Sequence, residues 1–387
     1  MRQVRYPIIR GHGEGEQLLS RFSINQGGLF FALEKRLSLF SRTLTFVAIA
    51  WMPVAILDGI FGSGTLISRT WVNIPLLVAG PLLIIAEAPI ALRIGLAIEQ
   101  LQTRDILRDP HRLTEILARA RRALSGALGI LLELGILAYV AFVAYRRLNT
   151  LDPRQAIEGV SLTARATLAA ADWFTWISLP MVLFLRLRWV WRGIVWVQTL
   201  WRISRIPMSI HPTHTDQRGG LAILGRAQES FGLFWLAASA LAATTIAYRV
   251  SSGLKPLHDY YVVIVAIVAV EVLITLLPLL FFLPTLRAAK IRGVADYESL
   301  SSRYSRGFDP RWMDPTKAEK DLLGNADFQS LADLGNGYDR VSKMGIFPAN
   351  LENIKRLAVL GALPFLPLAL LIFSAKQLAK AALQLVF

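Results

Sequence analysis

Residues 44–62 read LTFVAIAWMPVAILDGIFG, an apolar run interrupted by a single charge at Asp58. Runs of this kind recur at roughly 72–92, 124–145, 173–193, 229–248, 260–284 and 357–375. Crossing the hydrocarbon core takes about 20 mostly apolar residues in a helix. Lipid offers no partner for a bare backbone N–H or C=O, and a continuous apolar run of this length meets that demand as a helix. The recurrence predicts an all-α, polytopic transmembrane helix bundle of six to seven spans. The last run, 357–375, either spans or lies in the interface. A soluble domain has no use for so many such runs. Only 18% of this chain is charged and 54% is hydrophobic, where a soluble domain carries about a quarter charged residues.

The formal net charge of +15 fits either a nucleic-acid partner or a membrane protein with basic cytoplasmic loops. The distribution decides between them. With the N-terminus cytoplasmic, the inside segments and inner helix ends hold 33 of the 42 Lys and Arg, and the outside segments hold the other nine. This predicts a multi-pass membrane protein with its N-terminus on the cytoplasmic side. It also removes the reason to expect nucleic acid. The expected partners are the bilayer, its anionic inner-leaflet lipids and further copies of the chain.

Four regions follow from this reading. Residues 1–43 form a cytoplasmic segment without a cleavable signal-peptide pattern, with an interfacial helix over 29–42. Residues 44–285 hold the bundle, including a second interfacial helix at 109–124. On the outer side, 151–173 is expected to form a re-entrant or surface helix. Residues 286–356 form a cytoplasmic helical segment, and 357–387 a C-terminal transmembrane or interfacial helix. Within 286–356, Asn325 suits an N-cap, and Gly335–Asn336–Gly337 a helix stop. Cysteine is absent, which excludes disulfides, thiolate metal sites and a Cys nucleophile.

Ionisable residues inside spans are costly and therefore informative. Arg186, Arg188 and Arg192 occupy the inner half of the fourth span, and Glu87, Glu133 and Glu271 are the candidate counter-ions. Similar depths pair Glu87 with Arg188 and Glu133 with Arg186. Glu271, near the middle of its span, has no Arg at its depth. Asp58 is expected to reach water at the outer end. Trp189, Trp191, Trp196 and Trp201 suit headgroup anchors. The charged set reads as structural ion pairs, as an anion path or proton relay, or as arginines snorkelling to the surface. Pro81, Pro89, Pro180 and Pro278 interrupt spans, as prolines beside transporter cavities often do.

The stretch HPTHTDQRGG, residues 211–220, follows the fourth span. His211, His214 and Asp216 have the chemistry of a metal site, with His12 and His111 as further donors. A metal site needs at least three ligands in suitable geometry, and HExxH and Cys partners are missing. Pro207 and Pro212 stop the helix, Gly219 and Gly220 permit a left-handed turn, and Asp216 or Thr215 can cap the next helix. The stretch is therefore expected to be a capped interfacial turn holding no metal, with a polar gate or anion-contacting loop as the alternative. Walker loops, dinucleotide fingerprints and Ser-His-Asp spacings are missing from the chain, and no cofactor is expected.

PTHTDQRGGLAILG resembles a P-T-H-x-D-x-x-G-G-L pattern, and LLGNADFQSLADLGN an L-L-G-x-A-D-x-Q-S-L-A-D-L pattern. Together with FALEKRLSLF before the first span, they resemble a family of bacterial multi-spanning membrane proteins to which no reaction, substrate or cofactor is assigned. The resemblance implies an inner-membrane protein with two recurring cytoplasmic motifs. His214, Asp216, Arg218, Gly219 and Gly220 fall within the first, and Asp327, Gln329, Ser330 and Asp333 within the second.

The leading functional expectation is a channel or transporter for a small ion or solute. Its inward polar set would be Arg186, Arg188, Arg192, Glu87, Glu133 and Glu271, and residues 286–356 would dock on the 207–220 loop as a gate. The alternatives are a membrane-embedded enzyme with His214 as general base oriented by Asp216, and a membrane scaffold or effector.

Overall fold

The computed structural model describes residues 22–25, 37–126, 134–135, 138–139, 142, 161–313 and 325–371. Eight long helical elements stand out among them. They are α1 (Leu39–Ile60), α2 (Thr70–Thr103), α3 (Pro110–Ser125), α4 (Leu162–Ile203), α5 (Ala222–Ser251), α6 (Leu257–Trp312), α7 (Ala326–Ser342) and α8 (Leu351–Ala362). A 3-10 helix, Leu363–Leu371, continues from α8. The described residues contain no strand, only one antiparallel bridge between Leu107 and Met208. The chain is an all-α bundle, and α1, α2, α4, α5 and α6 are long and apolar enough to cross a membrane. Most of the expected third run, 124–145, lies outside the described residues, as do 372–375 of the last run. Five helices of spanning length thus stand among the described residues, against an expected six to seven.

Several boundaries differ from expectation. The helix expected over 151–173 is described only from residue 161, where it opens α4 and continues without a break to Ile203. A π-helical turn at Phe174–Ser178 carries the helix past Pro180. Proline cannot donate and its ring crowds the carbonyl four residues back. Widening the turn lets Leu179 N–H reach the Phe174 carbonyl. A second π turn, Ile74–Ala79, does the same before Pro81 in α2. Of the interfacial helix expected over 29–42, only 37–42 is described, and Leu39 onward already belongs to α1, capped by Ser38. At the far end of the chain, α6 runs unbroken from its apolar half through residue 285 to Trp312. At 1.5 Å per residue its 56 residues reach roughly 80 Å, so a long part extends beyond a ~30 Å core.

Packing has two ends. At the hairpin end, α1 joins α2 and α5 joins α6. There Asp58 is fully buried, against the expectation that it reaches water. Its Oδ2 accepts the Leu66 and Ile67 backbone N–H groups at 2.7 and 2.9 Å, closing the 61–69 loop on itself. At the loop end, residues 104–109, 204–221 and 341–349 meet, with Ile106, Ile206, Leu221 and Met344 buried together. Between the ends, α1 and α2 cross closely at Gly80, where a Cβ would lie 2.2 Å from the Phe46 ring. Trp189 and Trp196 are buried in the core instead of anchoring at headgroups. Trp189 donates to the Leu83 carbonyl at 2.8 Å and Trp196 to Gln228 Oε1 at 2.9 Å. Their spacing of seven sets them on one face of α4, together with Arg192, while Trp201 is exposed.

Candidate functional site

The intramembrane polar residues separate into two clusters. The first centres on Glu87 in α2. Its Oε1 accepts Arg192 Nη1 at 2.7 Å and lies 4.0 Å from Arg188 Nη1, and its Oε2 accepts from Arg42 Nη2. Arg188, Arg192 and Glu87 are all buried. Arg192 also stacks over the Trp189 ring at 5.2 Å. Pairing by depth makes Arg188 the partner of Glu87. The shorter contact is to Arg192, one turn nearer the loop end, and Arg42 from α1 completes the group. Arg42 escapes sequence reasoning because it falls at the last position of the expected interfacial helix. Arg186 is exposed on the other side of α4 and does not join the cluster. Glu133 lies outside the described residues.

The second cluster surrounds Glu271 in α6, where α5, α6 and α8 pack together. The carboxyl is buried. Ser239 Oγ of α5 donates to its Oε1 at 2.7 Å, while its Oε2 is buried without a hydrogen-bond partner. Gly361 of α8 faces that oxygen, and a Cβ there would lie 2.5 Å from Oε2. One turn along α6, Thr275 Oγ1 donates to the Glu271 carbonyl and accepts Trp235 Nε1 at 2.6 Å. The Thr275 carbonyl accepts Gln228 Nε2 at 2.7 Å. Glu271 thus ends a polar ladder that begins at Trp196 and lies among apolar side chains. α8 is fastened beside it by the Asn350–Asn353 capping box and by Asn353 and Arg356, both bonded to Glu229 of α5.

The 211–220 stretch forms the turn its prolines and glycines imply. Gln217, Gly219 and Gly220 all have positive φ, at 53°, 62° and 95°. Asp216 accepts backbone N–H groups from Arg218, Gly220 and Ala222 at 2.8, 3.0 and 3.1 Å. It thereby serves the first residue of α5 from six positions upstream. His214 Nδ1 lies 2.8 Å from Asp216 Oδ1 and 3.2 Å from the Asp216 backbone nitrogen. A carboxylate at 2.8 Å requires the proton on Nδ1, so the shorter contact is the hydrogen bond. Burial alone would raise the Asp216 carboxyl. The three N–H donors and His214 outweigh it and hold the carboxyl below the usual carboxylate range. His211 is exposed, and among the described residues no three His, Asp or Glu converge as metal ligands.

The turn is clasped from two sides. Arg108 N–H donates to the Pro207 carbonyl at 3.0 Å, and Ser209 N–H to the Ile106 carbonyl at 2.8 Å. Gly345 N–H donates to the Gln217 carbonyl at 2.9 Å, and Gly293 of α6 abuts Pro212. The segment after α6 therefore docks on the turn. The second motif holds α7 against α6. Trp312 Nε1 and Arg311 Nη1 reach Asp327 Oδ2 at 2.9 and 3.1 Å, and Asn325 caps α7 through the Asp327 N–H. Gln329 bonds Asp333 at 3.1 Å on an exposed face, and Ser330 is exposed. Gly335–Asn336–Gly337 does not stop the helix, since α7 runs through it to Ser342. Gly337 instead lets the Tyr297 ring approach, where a Cβ would lie 2.6 Å away. Comparison of the chain with protein-family models, with curated proteins and with solved structures finds no match.

Proposed function

We propose that this multi-pass membrane protein moves a small ion or solute and that Glu271 is the group that takes up and releases a proton as it does so. The observation that carries the reading is a buried carboxyl with one oxygen unpartnered and only a serine hydroxyl on the other. Bringing a carboxyl into a span is costly, and such residues mark ion and proton pathways. The Glu87 cluster, by contrast, is internally paired and reads as a structural tie between α1, α2 and α4. The Asp216 turn reads as a clasp. Through Gly345, the 341–349 loop and the cap of α8, that clasp is continuous with the helix covering Glu271. Shifting α8 would open the carboxyl, so α8 and the 341–349 loop that ties it to the clasp act as the gate. The protein sits in the bacterial inner membrane with the loop end and N-terminus cytoplasmic.

Two measurements on protein reconstituted in liposomes test the reading. Dicyclohexylcarbodiimide, which attacks carboxyl groups in apolar surroundings, is expected to add to Glu271, seen by mass spectrometry of the 260–285 peptide. Proton flux into vesicles holding a pH-sensitive dye is expected to fall to the protein-free level in Glu271→Gln. A Glu271→Gln protein that melts like the parent and carries the same flux would overturn the proposal.

A further inference from the structure

An apolar slot of about 460 Å³ runs between α1 and α4. Its volume falls within the ~300–1,000 Å³ of small-ligand sites. Ile49, Trp176, Met181 and Phe184 form its walls, and Arg42 and Arg188 line it as well. The arrangement is directional. On α1 the lining runs from Arg42 through Thr45 and Phe46 to Ile49, one helix face. On α4 it runs from Arg188 back to Trp176, roughly 18 Å at 1.5 Å per residue. Both helices therefore place their guanidinium at the same end, and beyond it the lining is apolar apart from Thr45. α1 has 22 residues, roughly 33 Å, which matches the hydrocarbon thickness. Arg42 stands in its first turn, so the charged end of the slot lies at the level of lipid headgroups and the apolar part follows the direction of the acyl chains.

We infer that the slot is a binding site for an anionic phospholipid of the surrounding bilayer. One acyl chain lies along Ile49, Met181 and Trp176, and the phosphate meets Arg42 and Arg188, which line the slot while also contacting Glu87. Guanidinium is the side chain best matched to a phosphate, and its position in the first turn of a spanning helix selects a lipid over a water-soluble anion. The site is separate from Glu271 and does not depend on the transport proposal.

Native mass spectrometry of delipidated protein tests this, with phosphatidylglycerol, phosphatidylcholine, oleate and inorganic phosphate as probes. Phosphatidylglycerol is expected to be retained at least about tenfold more tightly than phosphatidylcholine, as two basic residues at headgroup level imply. Arg42→Gln should abolish the preference. Met181→Trp fills the slot while leaving the arginines in place, and should weaken phosphatidylglycerol binding with an unchanged melting temperature. Equal retention of the two phospholipids would overturn the inference. So would oleate or phosphate competing as well as phosphatidylglycerol, or full binding to a folded Met181→Trp protein.

Discussion

Asp216 shows how one side chain can organise a loop in which every backbone N–H must find an acceptor. It answers three of them and the His214 ring. Asp216→Asn is expected to cost about 1–3 kcal/mol, because buried N–H groups lose a charged acceptor. The pH dependence follows from the sign of the shift. The folded carboxyl is held below its unfolded value, so its stabilisation is complete above the ordinary carboxyl range and is lost as pH falls through the lowered value. The gap in melting temperature between parent and Asp216→Asn should therefore be full at neutral pH and close only below about pH 4. A gap that stayed constant into strong acid would show that the charge is not what matters. Glu87 is the converse case, one carboxylate serving three guanidiniums. Glu87→Gln should cost about 3–5 kcal/mol. Arg188→Met should cost less, since Arg42 and Arg192 remain on Glu87. Equal losses in detergent melting would refute this ordering.

The helices of the bundle gain their fit from where small residues and prolines fall. Gly80 admits the Phe46 ring at the crossing of α1 and α2, whereas around Gly95, further along α2, a methyl group would meet nothing within 4 Å. Gly80→Leu should therefore cost about 1–3 kcal/mol by overpacking. Gly95→Ala should gain up to about 1 kcal/mol from helix propensity. Thermal melts of the two variants moving in the same direction would count against this account. The same reasoning explains why α7 passes through Gly335–Asn336–Gly337. A glycine stops a helix only when the chain needs a left-handed residue there. Here Tyr297 needs the space above Gly337, and the aromatic contacts of Phe308, Trp312 and Phe328 hold α7 on α6.

For the molecule as a whole, the chain has no cysteine, so single cysteines report sidedness directly. Ser63→Cys and Ser252→Cys, both exposed at the hairpin end, should react with an impermeant maleimide from one side of oriented vesicles. His211→Cys at the loop end should react only from the other. Labelling of all three from one side would contradict the bundle. Five apolar helices of spanning length and the turn at 211–220 were legible in the sequence, because lipid imposes a minimum apolar length and because proline and glycine restrict the backbone locally. The capping roles of Asn325 and Asp216 were legible for the same local reason. Partners across the bundle were not. α4 is apolar around most of its circumference, so no periodicity distinguished the inward face of Arg188, Trp189, Arg192 and Trp196 from the outward face of Arg186. Depth counting placed Arg188 near Glu87, but the preference for Arg192, the arrival of Arg42 and the meeting of Glu271 with Gly361 depend on helix rotation and crossing. Those are set by packing among residues far apart in the chain, and only the tertiary structure decides them.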